Sequence, residues 1–344
     1  MKEKIAYNAL NVFYKGDYSK LQKARKDFGD WAVAWDDLGK DSAIVADALW
    51  ETLVKEGISL ALCEEVGFPK ILKEIPWAPF GLYWRGKSIE DLPAVGIVGT
   101  RRATLNGRAI AKKFGEELAI NGVAVISGLA LGIDSAAHEG VLLAKGRTIA
   151  VLAGGLDYIY PKQNTLLFKK ILESGGTIVS EYAFGAPAYS SRFLERNRII
   201  SGLSLGIVVI EAPEASGALA TAKFALDQNR EVFVVPGNIN QPNYSGSHGL
   251  IKAGACLVTS AKEVLGNLNL RIGAESSPNQ PLNLESLDDN QRAIINVIRL
   301  AGEPIRIDKI QDLTKMEIPV INRAVSLLEI QGIIKGSGGN YQLS

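Results

Sequence analysis

The chain has 344 residues, of which 47% are hydrophobic and 22% charged, and its formal net charge is +1. This length exceeds what one compact core usually accommodates, so we expect two or three domains. The composition excludes a wholly disordered chain. The near-zero net charge excludes a global basic field, so a nucleic-acid partner would have to be held by a local patch.

The cysteines and the N-terminus carry no signal for a disulfide scaffold, a metal site or export. Cys63 and Cys256 lie far apart in apolar runs, where they are typical of small buried hydrophobic residues. The opening MKEKIAYNALNVF lacks the apolar region of a signal peptide, and no stretch of about 18 apolar residues exists. We therefore expect no metal, no membrane span and a cytoplasmic location.

Residues 1–85 have the apolar spacing of short helices. The clearest pattern runs over residues 41–55, and Gly57 and Gly67 interrupt the helical pattern that follows. The helical pattern ends near three prolines, Pro69, Pro76 and Pro79. The pattern predicts a small, all-helical domain.

From about residue 94, short apolar runs alternate with amphipathic helical patterns. The runs are Val95–Gly99, Val123–Ser127, Thr148–Leu152, Thr177–Ser180, Gly206–Ile210, Glu231–Val235 and Ala255–Thr259. Helical patterns lie between them, near residues 107–121, 134–145, 163–174 and 218–229. Such alternation predicts an α/β domain over residues 86–266, with a parallel sheet covered by helices on both faces.

The C-terminal part divides into a polar stretch and a small helical region. Residues 267–288 (including AESSPNQPLNLES) have little to bury and are typical of a linker. Residues 289–344 return to helical periodicity and end in a glycine-turned hairpin. Three helices followed by a hairpin predict a winged-helix domain.

Glycine and polar residues follow nearly every predicted strand. In an open parallel sheet, ligands bind outside the carboxyl ends of the strands. The loops Gly128–Gly132 and Ser216–Gly217 each open a helix, and Arg101 and Arg102 follow the first strand. Glycine lets backbone N–H groups approach a phosphate, so this edge is typical of anion binding. The alternative is ordinary tight turns. Neither G-x-G-x-x-G nor G-x-x-x-x-G-K-[ST] occurs, which disfavours NAD binding and Walker-type ATP hydrolysis.

The segment Arg192–Arg198 (RFLERNR) concentrates three arginines and one aromatic residue in seven positions. An exposed Phe193 could stack a base while the arginines hold the backbone. In the alternative, Phe193 packs inward and the arginines pair with Glu181 and Glu195. Residues 94–265 carry 17 Lys and Arg against 13 Asp and Glu, and this surplus favours a polyanion.

The sequence offers little support for catalysis or for a cofactor. His138 and His248 are the only histidines, so a multi-histidine metal site is not available. His138 is more typical of a structural histidine. Glu211 follows a strand and could act as an acid or base, or could accept N–H bonds that hold its own loop. We expect no catalytic residue, no cofactor and no enzymatic activity.

Several long, ordered motifs resemble the DprA/Smf family of DNA-processing proteins over roughly residues 85–265. They are GIVGTRRATLNGRAIAKKFGEELAINGVAVISGLALGIDSAAHEGVLLAKGRTIAVLAGGLDYIYPKQN, SEYAFG, FLERNRIISGLS, EAPEASGALATA, REVFVVPGNI and GSHGLIKAGA. The resemblance implies an extended Rossmann-like domain over residues 86–266. Residues 1–85 are similar to the family's SAM-like domain, and residues 289–344 resemble its winged-helix (DML1-like) domain.

The resemblance also implies a function. Family members bind single-stranded DNA without hydrolysing nucleotides, dimerise through the Rossmann-like domain, and pass the strand to RecA in natural transformation. The family's phosphate-binding arginine matches Arg101, and its aromatic residue matches Phe193. The residues we expect to contact DNA are Arg101, Arg102, Ser127, Gly128, Arg192, Phe193, Asn197, Arg198, Ser216, Gly217 and Thr221.

The sequence departs from the family pattern at two positions of the expected binding surface. Leu131 stands where many members have an arginine, and Ser190 stands where some have a lysine. The expected recognition helix of the winged-helix region, about residues 319–329, carries only Arg323 and Glu329 as charges. We therefore expect a protein-contact or weak auxiliary module there, with duplex DNA binding as the alternative.

A nucleotide-cleaving phosphoribohydrolase is the alternative to a DNA-binding function. Enzymes of that related group use a P-G-G-x-G-T loop and a glutamate. The sequence matches this pattern only in part, at Ala153-Gly154-Gly155 and Glu211.

Overall fold

The structure is a computed structural model, which describes residues 1–89, 92–270, 288–301, 304–330, 333–337 and 340–343. The chain divides into two compact units, Met1–Ala274 and Glu275–Ser344. Most of the linker predicted over residues 267–288 lies outside the described residues. Along the described ranges, no helix is both long enough and apolar enough to cross a membrane.

The larger unit is built on one sheet, which has nine strands among the described residues. These are β1 (Ser59–Leu62), β2 (Gly81–Gly86), β3 (Ala94–Val98), β4 (Ala124–Ser127), β5 (Thr148–Val151), β6 (Thr177–Ser180), β7 (Gly206–Val209), β8 (Glu231–Val234) and β9 (Cys256–Leu257). Their order across the sheet is β1-β2-β6-β5-β4-β3-β7-β8-β9. Strands β3 to β9 pair in parallel, and β1 and β2 are antiparallel.

Helices connect the strands and cover both faces of the sheet. They are α1 (Lys2–Phe13), α2 (Tyr18–Phe28), α3 (Trp31–Leu38), α4 (Ala46–Lys55), α5 (Lys70–Lys73), α6 (Leu105–Ile120), α7 (Ile133–Leu143), α8 (Thr165–Glu173), α9 (Ser190–Gly202), α10 (Gly217–Asp227), α11 (Ser245–Lys252) and α12 (Ala261–Asn267), with short 3-10 helices at Lys162–Asn164 and Pro242–Tyr244.

Alternate residues of each parallel strand enter separate hydrophobic cores. Val98 of β3 packs with Ile199 of α9 on one face, whereas Ile97 packs with Phe114 of α6 on the other. The four parallel strands β3 to β6 are buried at every position, which explains why their sequences are mostly apolar. The α/β class and the Rossmann-like parallel sheet predicted from the sequence are confirmed.

The prediction that residues 1–85 are entirely helical is wrong, because β1 and β2 lie in this region. These strands extend the main sheet beside β6, where β2 pairs antiparallel with it. The helices also share a core with the sheet, since Tyr7 of α1 and Ile178 of β6 belong to one buried cluster. Residues 1–85 are therefore a helical layer and a sheet extension within the larger unit, with no break in contacts near residue 85.

The smaller unit contains three helices and a three-stranded antiparallel sheet within its described residues. The elements are α13 (Asp289–Ala301), β10 (Ile305–Arg306), α14 (Ile307–Thr314), α15 (Ile318–Ile330), β11 (Ile334–Ser337) and β12 (Asn340–Leu343). The sheet order is β10-β12-β11, and a core of isoleucine, valine and leucine joins it to the helices. This is the arrangement of a winged helix.

Candidate nucleic-acid interface

A cavity of about 510 Å³ opens at the carboxyl edge of the main sheet. Strands β3 and β7 are parallel neighbours, but the chain leaves β3 towards β4 and returns to β7 only after β6. The loops after β3 and β7 therefore diverge at a topological switch point. The cavity is lined by residues after β3, by the loop before α10 and by the first turns of α9.

An exposed cation and an aromatic pair form one wall of the cavity. The Arg101 guanidinium lies 5.1 Å from the centre of the Phe193 ring. Phe193 contacts Tyr160 edge to face, with 5.3 Å between ring centres. Arg102 is also exposed and lines the same cavity. A cation beside an aromatic face suits a ligand that has both phosphate groups and flat bases.

The N-terminus of α10 forms the opposite wall. Ser216 caps this helix, and its hydroxyl accepts a hydrogen bond from the Ala218 N–H (3.2 Å). Gly217 is exposed, and Thr221 lies one turn further on, with its hydroxyl donating to the Gly217 carbonyl (3.3 Å). The partial positive charge of a helix N-terminus therefore faces the cavity, as anion binding requires.

Arg196, which the sequence analysis did not select, lies in the floor of the cavity. Its buried guanidinium donates to the carbonyls of Gly128 (2.7 Å) and Val151. Burial lowers its pKa to about 10, so it stays protonated at neutral pH. Asn197 lies beside it and donates to the Gly217 carbonyl (3.2 Å), which joins α9 to α10.

Helical periodicity was the signal that could have identified Arg196. Positions three and four residues apart share a face of a helix. Arg196 and Asn197 follow Phe193 by three and four residues, and all three line the cavity. A helix over residues 190–202 therefore places Arg196 on the face towards the cavity and the other two arginines of the segment, Arg192 and Arg198, on a different face.

Ser127 and Gly128 shape the site from beneath it. The Ser127 side chain is fully buried, and its hydroxyl donates to the Ile97 carbonyl (2.6 Å). The Gly128 N–H donates to the Asp134 carboxylate (3.0 Å), and burial raises the pKa of that carboxyl group. The structure thus brings Gly128 only to a narrow slot beside Arg101 and Phe193, and it does not bring Ser127 to the cavity.

Arg192 and Arg198 face away from this cavity. Arg198 forms a buried ion pair with Glu181 (2.6 Å), which is the alternative considered for this segment. Arg192 stacks on Tyr182 and Tyr189, with its guanidinium 4.3 Å and 4.9 Å from the two ring centres. Both arginines line a second cavity, on the other side of α9.

The groups considered for catalysis are engaged in the fold. His138 is fully buried, and burial lowers its pKa to about 3. Glu211 is also fully buried, and its carboxylate accepts bonds from the Thr104 N–H (2.9 Å) and the Asn243 side chain (3.2 Å). His248 lies 3.1 Å from the Gly237 carbonyl. Among the described residues, no cluster of three or more His, Cys, Asp or Glu could hold a metal ion.

The fold and the cavity together define a Rossmann-like protein whose site has the chemistry for phosphates and bases. The sequence model of a family described as DNA recombination-mediator protein A matches residues 59–269. The chain therefore belongs to the DprA/Smf family of DNA-processing proteins, as the sequence motifs predicted.

Relatives and solved structures agree with this assignment. Protein Smf of Escherichia coli (strain K12) is 39% identical over 251 residues, which are 72% of this chain and 67% of that protein. A crystal structure of DprA from Streptococcus pneumoniae is 37% identical and covers 69% of this chain and 81% of its own, with a TM-score of 0.60.

A structure of DNA processing protein A from Helicobacter pylori is also similar to this chain. It is 31% identical and covers 62% of this chain and 95% of its own, with a TM-score of 0.55. That structure is described as giving insight into the single-stranded DNA binding mode of the H. pylori protein.

Proposed function

We propose that this chain binds single-stranded DNA in the cavity at the switch point, without catalysing a reaction on it. The observation that carries the proposal is the position of the Arg101 guanidinium over the Phe193 ring, at the mouth of an open cavity. The single-stranded DNA binding described for the H. pylori relative supports the same ligand.

Each wall of the cavity has a separate role in this proposal. Arg101, Arg102 and the N-terminus of α10 hold phosphate groups, because they supply positive charge and neither arginine forms an ion pair with a residue that the structure describes. Phe193 supplies a stacking face, which contributes about 1–3 kcal/mol per base in proteins of this type. Gly128, Ser127 and Arg196 keep the floor rigid beneath the strand. The contacts are to backbone and ring faces, so binding is tolerant of sequence.

Substitution of Arg101 tests this proposal directly. Arg101→Ala removes one phosphate contact and the cation beside Phe193, so we expect weaker binding to all single-stranded sequences by a similar factor. The dependence of log affinity on log salt should become shallower by about 0.7. Fluorescence anisotropy of labelled oligo-dT and of a matched duplex, at several salt concentrations, measures both quantities.

Lys262→Ala is the matched control, since Lys262 is exposed on α12 and does not line the cavity. It should leave affinity and salt slope as in the wild-type protein. An Arg101→Ala affinity equal to that of the control would remove Arg101 from the site. Release of free base from a nucleotide incubated with the protein would instead favour the phosphoribohydrolase alternative.

We further propose a place for this site in recombination. On the family relationship, the chain works in the cytoplasm, forms a homodimer through the Rossmann-like domain and passes the bound strand to RecA during natural transformation. Two linked cavities on one strand would raise its apparent affinity through avidity. Light scattering of the purified protein tests the dimer, and RecA filament formation on protein-coated single strands tests the transfer.

A further inference from the structure

A second cavity, of about 780 Å³, lies on the opposite side of α9 from the first. Neighbouring residues of α9 face different cavities: Ser190 and Phe193 line the first, and Ser191 and Arg192 line the second. Leu194 lines both and is 51% exposed. Residues 190–194 therefore form a ridge, here called the α9 ridge, with a cavity on each side.

The wall of the second cavity is held in place by Arg192. Its guanidinium donates to the Lys15 carbonyl in the turn between α1 and α2, while it stacks on Tyr182 and Tyr189. Gly16 in the same turn has a φ of +71°, and a Cβ atom there would lie 2.5 Å from the Tyr182 ring. The turn is thus packed closely against α9, so the cavity is already formed without a ligand.

The second cavity has a small excess of positive charge. Three carboxylates line it, and only Glu181 is paired with a cation, Arg198 (2.6 Å). Glu195 and Asp17 accept hydrogen bonds from neutral groups, the Tyr182 hydroxyl (2.8 Å) and the Lys20 backbone N–H (3.0 Å). Three further cations, Arg192, Lys15 and Lys20, line the cavity with these two carboxylates. Lys15 and Lys20 are exposed at the cavity, and neither forms an ion pair with any residue that the structure describes. These two ammonium groups remain available to an anion.

Two partly exposed aromatic rings line the same cavity as these lysines. Tyr189 is 53% exposed and Trp77 is 64% exposed, and both line the second cavity. Exposed aromatic rings and cations in one cavity are the combination with which proteins hold single strands, by stacking bases and neutralising phosphates.

We propose that the second cavity is a further subsite for the same DNA strand, which leaves the first cavity and crosses the α9 ridge. The inference rests on the proposed function of the first cavity. Leu194 lines both cavities, so a strand that leaves one enters the other without a gap. The second cavity also repeats the chemistry of the first, because it too has cations over aromatic rings. The Arg192 guanidinium lies 4.9 Å from the centre of the Tyr189 ring, and Lys20 Nζ lies 6.0 Å from the centre of the Tyr14 ring.

The test compares oligonucleotide lengths on the full chain. An oligo-dT of about six nucleotides fills one cavity, whereas one of about twenty can reach both. The double variant Lys15→Ala, Lys20→Ala should bind the long strand about tenfold more weakly, with a salt slope shallower by about 1.4, because two phosphate contacts are lost. Its affinity for the short strand should equal that of the wild-type protein. Lys23→Ala, on the same helix but outside both cavities, is the matched control.

The outcomes separate this inference from the proposed function. Equal binding of the long strand by the double variant and by Lys23→Ala would overturn the second subsite, even where Arg101→Ala weakens both lengths. Loss of short-strand binding in the double variant would also overturn it, since the lysines would then act at the first cavity or on the fold. If Arg101→Ala weakens neither length, the proposed function itself fails.

Discussion

At the scale of single residues, His138 shows how a polar group is accommodated inside the larger unit. The Thr148 hydroxyl donates to the Val125 carbonyl (2.8 Å) and lies 2.7 Å from His138 Nδ1. That hydroxyl therefore accepts from Nδ1–H, so His138 is neutral with its proton on Nδ1. Protonation of Nε2 would place a charge in a dry interior, which is why burial lowers the pKa of His138 to about 3.

This depressed pKa makes stability depend on pH. The unfolded histidine has a pKa of about 6.5. Between pH 6.5 and pH 3 the unfolded chain binds one more proton at this site, so acidification lowers the free energy of unfolding by about 1.4 kcal/mol per pH unit. Above pH 6.5 His138 does not make the free energy of unfolding depend on pH. Urea unfolding between pH 7 and pH 5 should show this decline, and His138→Asn should remove it. An equal dependence of the free energy of unfolding on pH in the wild-type protein and in His138→Asn would refute the depressed pKa of His138.

The residue scale also shows how far the sequence predicts the site. Arg101, Ser216 and Gly217 were predictable at the cavity, because each follows a strand end or opens a helix at a known edge of a parallel sheet. Phe193 was selected from its arginine-rich segment and from the family resemblance. For Arg198 the sequence left two interpretations open, DNA contact or pairing with Glu181, and the structure shows the ion pair. To select Arg196 from the sequence, one would have had to predict both that α9 is a helix and which of its residues face the cavity.

At the scale of elements, β1 and β2 were the part of the fold that sequence pattern did not reveal. β1 pairs only with β2 among the described residues, and the other partner of β2, β6, lies far along the chain. A segment such as GLYWRG has no alternation strong enough to distinguish a strand from a loop. The parallel strands were predictable because burial on both faces leaves them mostly apolar.

The packing of α1 on β2 provides a test of this extension. Gly81 in β2 lies under the buried Tyr7 ring, and a Cβ atom there would be 2.5 Å from it. Gly81→Ala should therefore destabilise the protein by about 1–3 kcal/mol, as overpacking of a core does. Urea unfolding followed by tryptophan fluorescence and circular dichroism measures the effect. Gly67→Ala is the control, because nothing lies within 4 Å of a Cβ atom there. Equal stability of the two variants would argue against this packing.

At the scale of the whole molecule, every residue of both cavities belongs to the unit Met1–Ala274. A chain that ends at residue 274 should therefore bind oligo-dT with an affinity within about twofold of the full chain, since compact units of this kind fold independently. Anisotropy with both proteins checks this. A loss of tenfold or more would assign part of the DNA contact to the winged helix, contrary to the protein-contact role predicted from its sparse charges.

The α9 ridge bears on the choice between single and double strands. A helix with its side chains is about 10–12 Å thick, so a nucleic acid that enters both cavities must bend sharply within that distance. Duplex DNA keeps its direction over about 150 base pairs, and bending it on this scale is costly. A single strand has no such stiffness. The protein would then discriminate single strands from duplex DNA through the flexibility of the DNA, without a contact that recognises a particular base.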